Sequence, residues 1–409
     1  MLLDHVIRMI SFDPLNPAFV QNPYPTYAHL RRNEPVHRTS AGFWVLTRFE
    51  DVVTALKDPR LGNRPAPFAL VSERNRSKYV CADVAANLIA FQDPPGHIAP
   101  RRLMATALQS YLKRREAMIR EVADEILARL RGRGQLDYAT DFAEPFAATC
   151  IARIMGFPDK DIPLLLGWSN LFFYMFHAIP DAATLERVDR ALVSFRVYVR
   201  EALNARRTAP RDDLLTLLME ARRGDHELAD QEVVDNAMLL TADGIENVQA
   251  GLTGTVATLL SHPASLARVL DNPSLLPAAI DECLRFESPG QYQARIALET
   301  LTIGDATIRA NSVVLVGLAA ANRDPAVFGE PDHFNIDRHG PRHLAFGLGR
   351  HACIGGALVM EEMAAAILSL FDGSRRVAMR HSELTWVARA GHRWPASLML
   401  DVVDLLPAY

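Results

Sequence analysis

The sequence predicts a mainly α-helical protein with small β-sheets, an α+β fold, and three observations support this class. Apolar residues recur at intervals of three and four through most of residues 100–287. A second helical pattern fills about 353–371. Short strand-like runs are confined to three β-rich parts, at about 35–60, 290–320 and 384–404. We therefore expect a single domain over residues 1–409, with one large helical part and a smaller β-rich lobe.

Local signals predict the elements in chain order. Strands are expected at 35–38 and 43–48, followed by a helix at 49–57. Residues 59–95 contain five prolines and predict a long irregular connection of the kind that forms lids. Helical spacing then predicts helices at 115–131, 142–155, 184–206, 213–221 and 231–260. Further strands are expected at 294–301, 306–309 and 312–316.

Composition places the chain among ordinary globular proteins and excludes several classes. Of its 409 residues, 49% are hydrophobic and 22% are charged, which excludes disordered and collagen-like chains. The net charge of −4 gives no overall basic field, so we expect no nucleic-acid partner. No apolar run reaches the roughly 18 residues of a membrane helix, so no membrane association is expected.

The N-terminal segment and the cysteines indicate a reducing compartment. Asp4 and His5 interrupt the first apolar run, which also lacks a basic start, so no signal peptide is expected. The cysteines show no C-x-x-C spacing, which disfavours a zinc ribbon or a disulfide framework. They are Cys81, Cys150, Cys283 and Cys353. We expect a cytoplasmic monomer.

The longest predicted helix follows Asp230, a good N-cap residue, and runs to Ser261. Its apolar surface is interrupted by four polar residues, Asp243, Glu246, Asn247 and Gln249. Polar groups in a buried helix are costly unless they are used, so this interruption indicates a functional site.

One motif carries most of the chemistry, the segment FGLGRHACIG at 346–355. Its first two glycines, Gly347 and Gly349, permit a tight turn with positive φ. An apolar helical pattern follows, so Cys353 is expected at a helix N-terminus, where the sulfur would be a thiolate. A lone thiolate suits an axial metal ligand, and the alternative is a buried structural cysteine.

This segment resembles the heme-binding signature of the cytochrome P450 family, F-G-x-G-x-H-x-C-x-G. The resemblance extends over the whole chain in family order. It implies the cytochrome P450 fold, heme b as the cofactor and Cys353 as its iron ligand, with Phe346 and Gly347 lining the cofactor. It also implies that Glu282 and Arg285, which match the family's E-x-x-R, form a structural ion pair.

Further matches imply contacts with the heme propionates. Asp93-Pro94-Pro95-Gly96-His97 followed by Arg101 is similar to the family's D-P-P-x-H-x-x-x-R. Arg295 follows Pro289 at the usual family distance. The resemblance therefore assigns the propionate contacts to His97, Arg101, Arg295 and His351.

The long helix resembles the family's oxygen-activating helix but departs from its A/G-G-x-D/E-T core. Gly244, Glu246 and Asn247 occupy the expected catalytic positions, and Gly244 is expected to open the helix locally. Asn247 stands in place of threonine, and an amide cannot pass on a proton as a hydroxyl can. Three hypotheses stay open: ordinary monooxygenation with asparagine, a relay completed by a substrate hydroxyl or water, and a reaction that needs less proton delivery, such as oxidative coupling.

The resemblance gives only a coarse substrate pocket. Phe173, in an aromatic run, and Gln291 and Tyr292, at the start of a strand, are expected to line it, and Asp243 could face substrate. Core packing is an equally good interpretation for Phe173.

These features predict a heme-thiolate monooxygenase that hydroxylates a small organic molecule, in secondary-metabolite biosynthesis. The chain has no reductase domain, so ferredoxin and ferredoxin reductase are the expected electron donors, docking near Arg102 and Arg350. The alternatives are oxidative C–C or C–O coupling of an aromatic or carrier-protein-bound substrate, and a heme sensor without turnover.

Overall fold

The computed structural model describes residues 12–112, 116–176, 179–223 and 226–405. The predictions at Asp4 and His5 and at residue 115 lie outside the described residues. Within the described ranges helices dominate and the strands form small sheets, which confirms the α+β class. None of the helices in this part of the chain is long and apolar enough to cross a membrane.

The helices are α1 (Pro17–Gln21), α2 (Tyr24–Asn33), α3 (Phe49–Lys57), α4 (Val80–Asn87), α5 (Ile98–Leu112), α6 (Glu116–Leu130), α7 (Glu144–Met155), α8 (Ile162–Phe172), α9 (Ala182–Thr208), α10 (Leu214–Met219), α11 (Asp230–Ser261), α12 (Pro263–Asp271), α13 (Leu276–Phe286), α14 (Leu318–Ala321) and α15 (Gly356–Leu370). The strands are β1 (Val36–Arg38), β2 (Trp44–Leu46), β3 (Leu61–Gly62), β4 (Gln135–Asp137), β5 (Arg222–Arg223), β6 (His226–Glu227), β7 (Gln293–Ala297), β8 (Leu301–Ile303), β9 (Ala306–Ile308), β10 (Val313–Val316), β11 (Arg375–Met379) and β12 (Met399–Asp404).

The long helix α11 forms the centre of the helical part. It spans 32 residues, about 48 Å at the usual rise, and packs against α7, α8, α9, α13 and α15. Most of its side chains are buried, as its nearly continuous apolar surface predicts. Asp230 is the first helical residue rather than the N-cap, which is Ala229. The Glu232 carboxylate accepts a hydrogen bond from the Ala229 N–H at 2.9 Å and so caps this end.

The β-rich lobe is a five-stranded sheet with the order β1-β2-β10-β7-β3. Strands β2 and β10 pair in parallel, and the pairs β1–β2, β10–β7 and β3–β7 are antiparallel. Leu46, Val314 and Val316 are fully buried and form part of a separate small core beneath the sheet. This sheet confirms the β-rich parts predicted near 35–60 and 290–320.

Three boundaries predicted from sequence were wrong. Residues 59–95 are not wholly irregular, because α4 forms inside them. The part predicted at 384–404 is a strand only from Met399, and its partner β11 was missed. Strand β4 interrupts the predicted helical part and joins the same three-stranded sheet. The two strand errors have one cause: β4 and β11 are short and are stabilised by pairing with β12, which local periodicity does not report.

Charged side chains tie α4 to the helices behind it. The Asp189 carboxylate accepts hydrogen bonds from the N–H groups of Val80 and Cys81, so α9 caps the start of α4. Arg196 on α9 then bridges Asp83 of α4 and the fully buried Asp235 of α11, each at 2.7 Å. The segment expected to be a lid is therefore fixed to the long helix.

A buried ion pair on α13 organises the segment that precedes the glycine turn. Glu282 and Arg285 form two hydrogen bonds at 2.7 and 2.8 Å. Arg285 also donates to the carbonyls of Asn322 and Pro331, at 2.8 and 2.9 Å. Glu282 accepts from Arg338 at 3.2 Å, so both charges are fully partnered inside the protein.

Replacing Glu282 by glutamine should destabilise the fold strongly. The substitution leaves Arg285 as a buried cation without its carboxylate, which typically costs about 3 kcal/mol of unfolding free energy. Urea denaturation followed by circular dichroism measures this change. The matched control is Glu186→Gln, which breaks the exposed pair with Arg190 and should cost about 0.5 kcal/mol or less. Equal losses in the two variants would contradict a structural role for the buried pair.

Candidate functional site

The glycine turn before Cys353 has the conformation that its sequence predicts. Gly347 and Gly349 have φ angles of 66° and 76°, which favour glycine. A Cβ atom on Gly349 would lie only 2.9 Å from the Leu56 carbonyl oxygen, so that position also needs a missing side chain. The Cys353 N–H donates to the Phe346 carbonyl at 2.8 Å and closes the turn.

Cys353 lies in this turn rather than at the start of a helix. Helix α15 begins at Gly356, three residues later, so the predicted position at a helix N-terminus was wrong. Although Cys353 is exposed on one side, the protein around its sulfur raises the pKa of the thiol, while the Gly355 N–H lowers it. The chain alone therefore does not favour the thiolate that the helix dipole was expected to produce. A metal that binds this sulfur would have to displace its proton.

Arg350 fixes the turn to the β-rich lobe. Its guanidinium donates to the carbonyls of Asp58 and Leu61 at 2.7 and 2.8 Å. The fold therefore uses Arg350, and of the two predicted docking residues only Arg102 is exposed. The sequence could not predict this role, because a contact between a side chain and distant backbone carbonyls leaves no pattern in the residue types.

Four basic side chains converge beside the turn. The rings of His97 and His351 lie 4.2 Å apart between their centroids. The two ring nitrogens of His97 and Nε2 of His351 are buried and have no hydrogen-bond partner among the described residues. Arg101 donates to the carbonyl of Ala352, and Arg295 donates to Gln293 Oε1 at 3.0 Å. The structure thus brings together the four residues that the sequence assigned to the propionates.

The electrostatics of this cluster require an anion. Burial lowers the pKa of His351 to about 3, with His97 and Arg295 adding repulsion. Burial and Arg350 lower the pKa of Arg295 to about 10. The nearby carboxylate of Asp93 is occupied by the Asn63 N–H at 2.7 Å. At neutral pH the two histidine rings are therefore uncharged, and the positive charge of Arg101 and the buried Arg295, with Asp93 as the nearby carboxylate, favours an anionic ligand.

These residues fit heme b. Its two propionates match the two arginines, which donate here only to neutral oxygens, and the two histidine rings, and its iron matches one accessible sulfur close to them. A bare metal ion is a poorer match, because no cluster of three or more His, Cys, Asp or Glu side chains in the described ranges could hold one. Phe346 packs against the start of α15, where a Cβ atom added to Gly356 would lie 3.6 Å from the Phe346 ring.

Helix α11 passes this site without a break. It is continuous from Asp230 to Ser261, so the local opening predicted at Gly244 is absent from the protein alone. A Cβ atom on Gly244 would lie 2.9 Å from Ile151 Cγ1. The glycine therefore allows close packing of α11 on α7.

The polar residues of α11 have distinct surroundings. Glu246 is buried, and burial raises its pKa while Arg389 lowers it. Burial and the charge of Glu246 raise the pKa of Asp243 to about 7. Asn247 is half-buried, and its side-chain amide makes no hydrogen bond to any residue that the structure describes. Spacings of three and four residues place these side chains on one face of the helix.

Arg389 is the residue that sequence reasoning missed. It pairs with Glu246 Oε2 and donates to Asn170 Oδ1 at 3.1 Å. It lies in the turn of the segment 385–396, where Gly391 has a φ of 79°. Glu246 and Arg389 are far apart in sequence, and nothing in the local pattern around Arg389 predicts their contact.

The four predicted pocket residues separate in the structure. Phe173 is buried next to Arg389 and His392, on the side of α11 that carries Asp243 and Glu246. Gln291 accepts from the Tyr27 hydroxyl at 3.0 Å and donates to the Ser288 carbonyl at 2.7 Å, so its amide serves the fold. Tyr292 and Gln291 line a pocket between residues 14–23 and the turn that carries Arg389 and His392.

The comparisons with known proteins agree with this geometry. The family model described as cytochrome P450 matches residues 163–372. The chain is 34% identical to cytochrome P450 107B1 of Saccharopolyspora erythraea, over 100% of this chain and 99% of that protein. It is 31% identical to mycinamicin IV hydroxylase/epoxidase of Micromonospora griseorubida, over 88% and 90% of the two chains.

A solved structure gives the same result for the fold. The crystal structure of P450BioI in complex with an acyl carrier protein ligated to hexadec-9Z-enoic acid superimposes with a TM-score of 0.87 at 30% identity. The match covers 94% of this chain and 99% of that one. The chain belongs to the cytochrome P450 family, and it is a heme b monooxygenase that takes its electrons from a redox partner.

Proposed function

We propose that the Cys353 sulfur would hold the heme iron and that His97, Arg101, Arg295 and His351 would bind the propionates. The observation that carries this assignment is the buried basic cluster beside an accessible sulfur. Nε2 of His351 is buried without a partner among the described residues, and burial together with repulsion from His97 and Arg295 lowers the pKa of this ring. The propionates would relieve that repulsion through charge-assisted hydrogen bonds.

Heme b, when bound, supplies the activation of O₂, so that one oxygen atom enters the substrate and the other leaves as water with two electrons and two protons. The chain contributes the proton supply on α11. Glu246 is the buried acid of this helix, and burial raises its pKa toward the range where an acid can hold a proton.

Asp243 gives the chain a second proton-exchanging group beside Asn247. Its pKa of about 7 lets it both take and release a proton near neutral pH. We infer that Asp243 and Glu246 together deliver protons, while Asn247 donates a hydrogen bond from its amide without passing a proton on. This favours ordinary monooxygenation with asparagine in place of threonine.

The substrate is proposed to be a small organic molecule of secondary metabolism, and hydroxylation its most direct conversion. Support comes from relatives, one of which is named as a hydroxylase/epoxidase acting on mycinamicin IV. Another is a P450 seen with an acyl carrier protein, so a carrier-bound substrate is a related candidate. A ferredoxin with its reductase is the proposed electron source, in the cytoplasm, where the four free cysteines would stay reduced.

Oxidative coupling is the second candidate, because Asn247 departs from the family's threonine. Turnover under ¹⁸O₂ with a surrogate ferredoxin and reductase separates the two reactions. Hydroxylation should place label in the product, whereas coupling joins two carbon or oxygen atoms of the substrate and sends all label to water. A chain that consumes no electrons with any substrate would instead be a sensor.

Cys353→Ala should abolish thiolate ligation of the iron. The protein, reduced under carbon monoxide, should show the red-shifted absorption band of a thiolate-bound heme, and the variant should not. Cys283→Ala is the matched control, because that thiol is buried away from the site, and it should keep the band. The same band in the Cys353→Ala protein would overturn the assignment of the ligand.

Asn247→Ala should divert electrons from product to hydrogen peroxide, because the amide's hydrogen bond is lost. A several-fold fall in product per electron is expected, measured as product and released peroxide together. Asn247→Thr should give a product yield per electron at the native level or above, since a hydroxyl both donates and accepts a hydrogen bond. Gln249→Ala, two residues further along α11, is the control. If Asn247→Ala leaves the product yield per electron and the released peroxide unchanged, this side chain has no part in proton delivery.

A further inference from the structure

The turn that carries Arg389 is held rigidly above α11. The Gly391 carbonyl accepts from the Gln291 N–H at 2.8 Å, and the Arg393 N–H donates to the Pro289 carbonyl at 2.8 Å. Inside the hairpin the Val387 N–H donates to the Trp394 carbonyl at 3.0 Å. These backbone bonds fix the position from which the Arg389 side chain extends, so little ordering is left to a ligand.

The surroundings of Arg389 are largely apolar. Its guanidinium lies 5.9 Å from the Phe173 ring and 5.5 Å from the Trp394 ring, and its side chain is 21% exposed. Glu246 is its carboxylate partner, and Oε1 of that carboxylate has no hydrogen-bond partner among the described residues. A cation in such a setting attracts an anion strongly, because water screens it poorly.

We propose that Arg389 is the residue that selects the substrate by charge: it binds the carboxylate of an acidic, largely apolar substrate, which displaces Glu246 from the guanidinium. The proposal rests on the proposed function, because it places the substrate between the heme side of α11 and the hairpin turn. The aromatic rings of Phe173 and Trp394 would contact the apolar body of the same molecule.

The two members of the ion pair differ in whether they can become neutral when they are separated. This difference decides which substrate charge the site accepts. A substrate ammonium would have to take Glu246 from Arg389, and the guanidinium, which does not lose its proton, would remain as a poorly solvated cation. A substrate carboxylate takes Arg389 instead, and Glu246 can then bind a proton from solvent. Burial favours that protonated form. Exchange with an anion is therefore the less costly of the two.

The exchange also connects substrate binding to proton delivery. While Arg389 holds Glu246, the guanidinium lowers the pKa of the carboxyl and favours its ionised form. Once the substrate occupies the guanidinium, that effect is lost, and burial favours the protonated form of Glu246. The charged groups around it are Arg389 on the hairpin and Asp243 on its own helix, and Asn170 from α8 is neutral. The enzyme would thus acquire its proton donor when the substrate arrives.

Matched ligands test the proposal on the heme-loaded protein. The probes are decanoic, dodecanoic and tetradecanoic acids, their alcohols and their methyl esters, titrated by the shift of the heme absorption band. We expect the acids to bind at least about tenfold more tightly than the alcohols. Arg389→Gln should reduce this ratio to about one, and Arg389→Lys should restore part of it. Arg376→Gln, an exposed arginine on β11, is the control and should leave the ratio unchanged.

Glu246→Gln distinguishes substrate binding by Arg389 from a purely structural role of this arginine. Removing the internal competitor should tighten binding of the acids several-fold and leave the alcohols unchanged. Acids that bind no better than alcohols or esters to the native protein would overturn the proposal, as would equal weakening of all ligands by Arg389→Gln. The carbon monoxide spectrum of the same samples reports thiolate ligation separately, so failure here is distinguishable from failure of the proposed function.

Discussion

The whole site depends on how this protein partners the charges that it buries. The Glu282–Arg285 pair is the clearest case, because both side chains are buried and Arg285 reaches two backbone carbonyls of the following segment. From the same segment Asn322 accepts the Leu344 N–H at 2.7 Å, just before the glycine turn. The position of Cys353 is thereby connected to an ion pair some 70 residues earlier in the chain.

The basic cluster near the turn contrasts with that pair, since its arginines donate to neutral oxygens rather than to a carboxylate. His97 and His351 are stacked without hydrogen bonds from their ring nitrogens to described residues, and Arg295 is buried beside them. A protein that arranges cations in this way is built around an anionic ligand, and its stability depends on the bound cofactor. This explains why heme b is an integral part of the fold.

On the other side of the cofactor position, α11 carries acids whose charge the environment controls. Glu246 is held by Arg389, and Asp243 titrates close to neutral pH. In our proposals, proton supply and substrate charge meet at this ion pair. The asparagine at position 247 is compatible with oxygen insertion if these acids carry the protons.

The sequence by itself determined the fold class, the helical part, four of the five strands of the main sheet and the glycine turn with its cysteine, because periodicity and positive-φ glycines are local properties. It also pointed to the residues of the basic cluster, through spacing that matches a known family. Tertiary structure alone decided the unbroken course of α11, the start of α15 after Cys353, and the use of Arg350 and Gln291 within the fold. It alone revealed Arg389 opposite Glu246. Partners separated by more than a hundred residues leave no periodic signal, since their contact is created by the packing of elements that fold from distant parts of the chain.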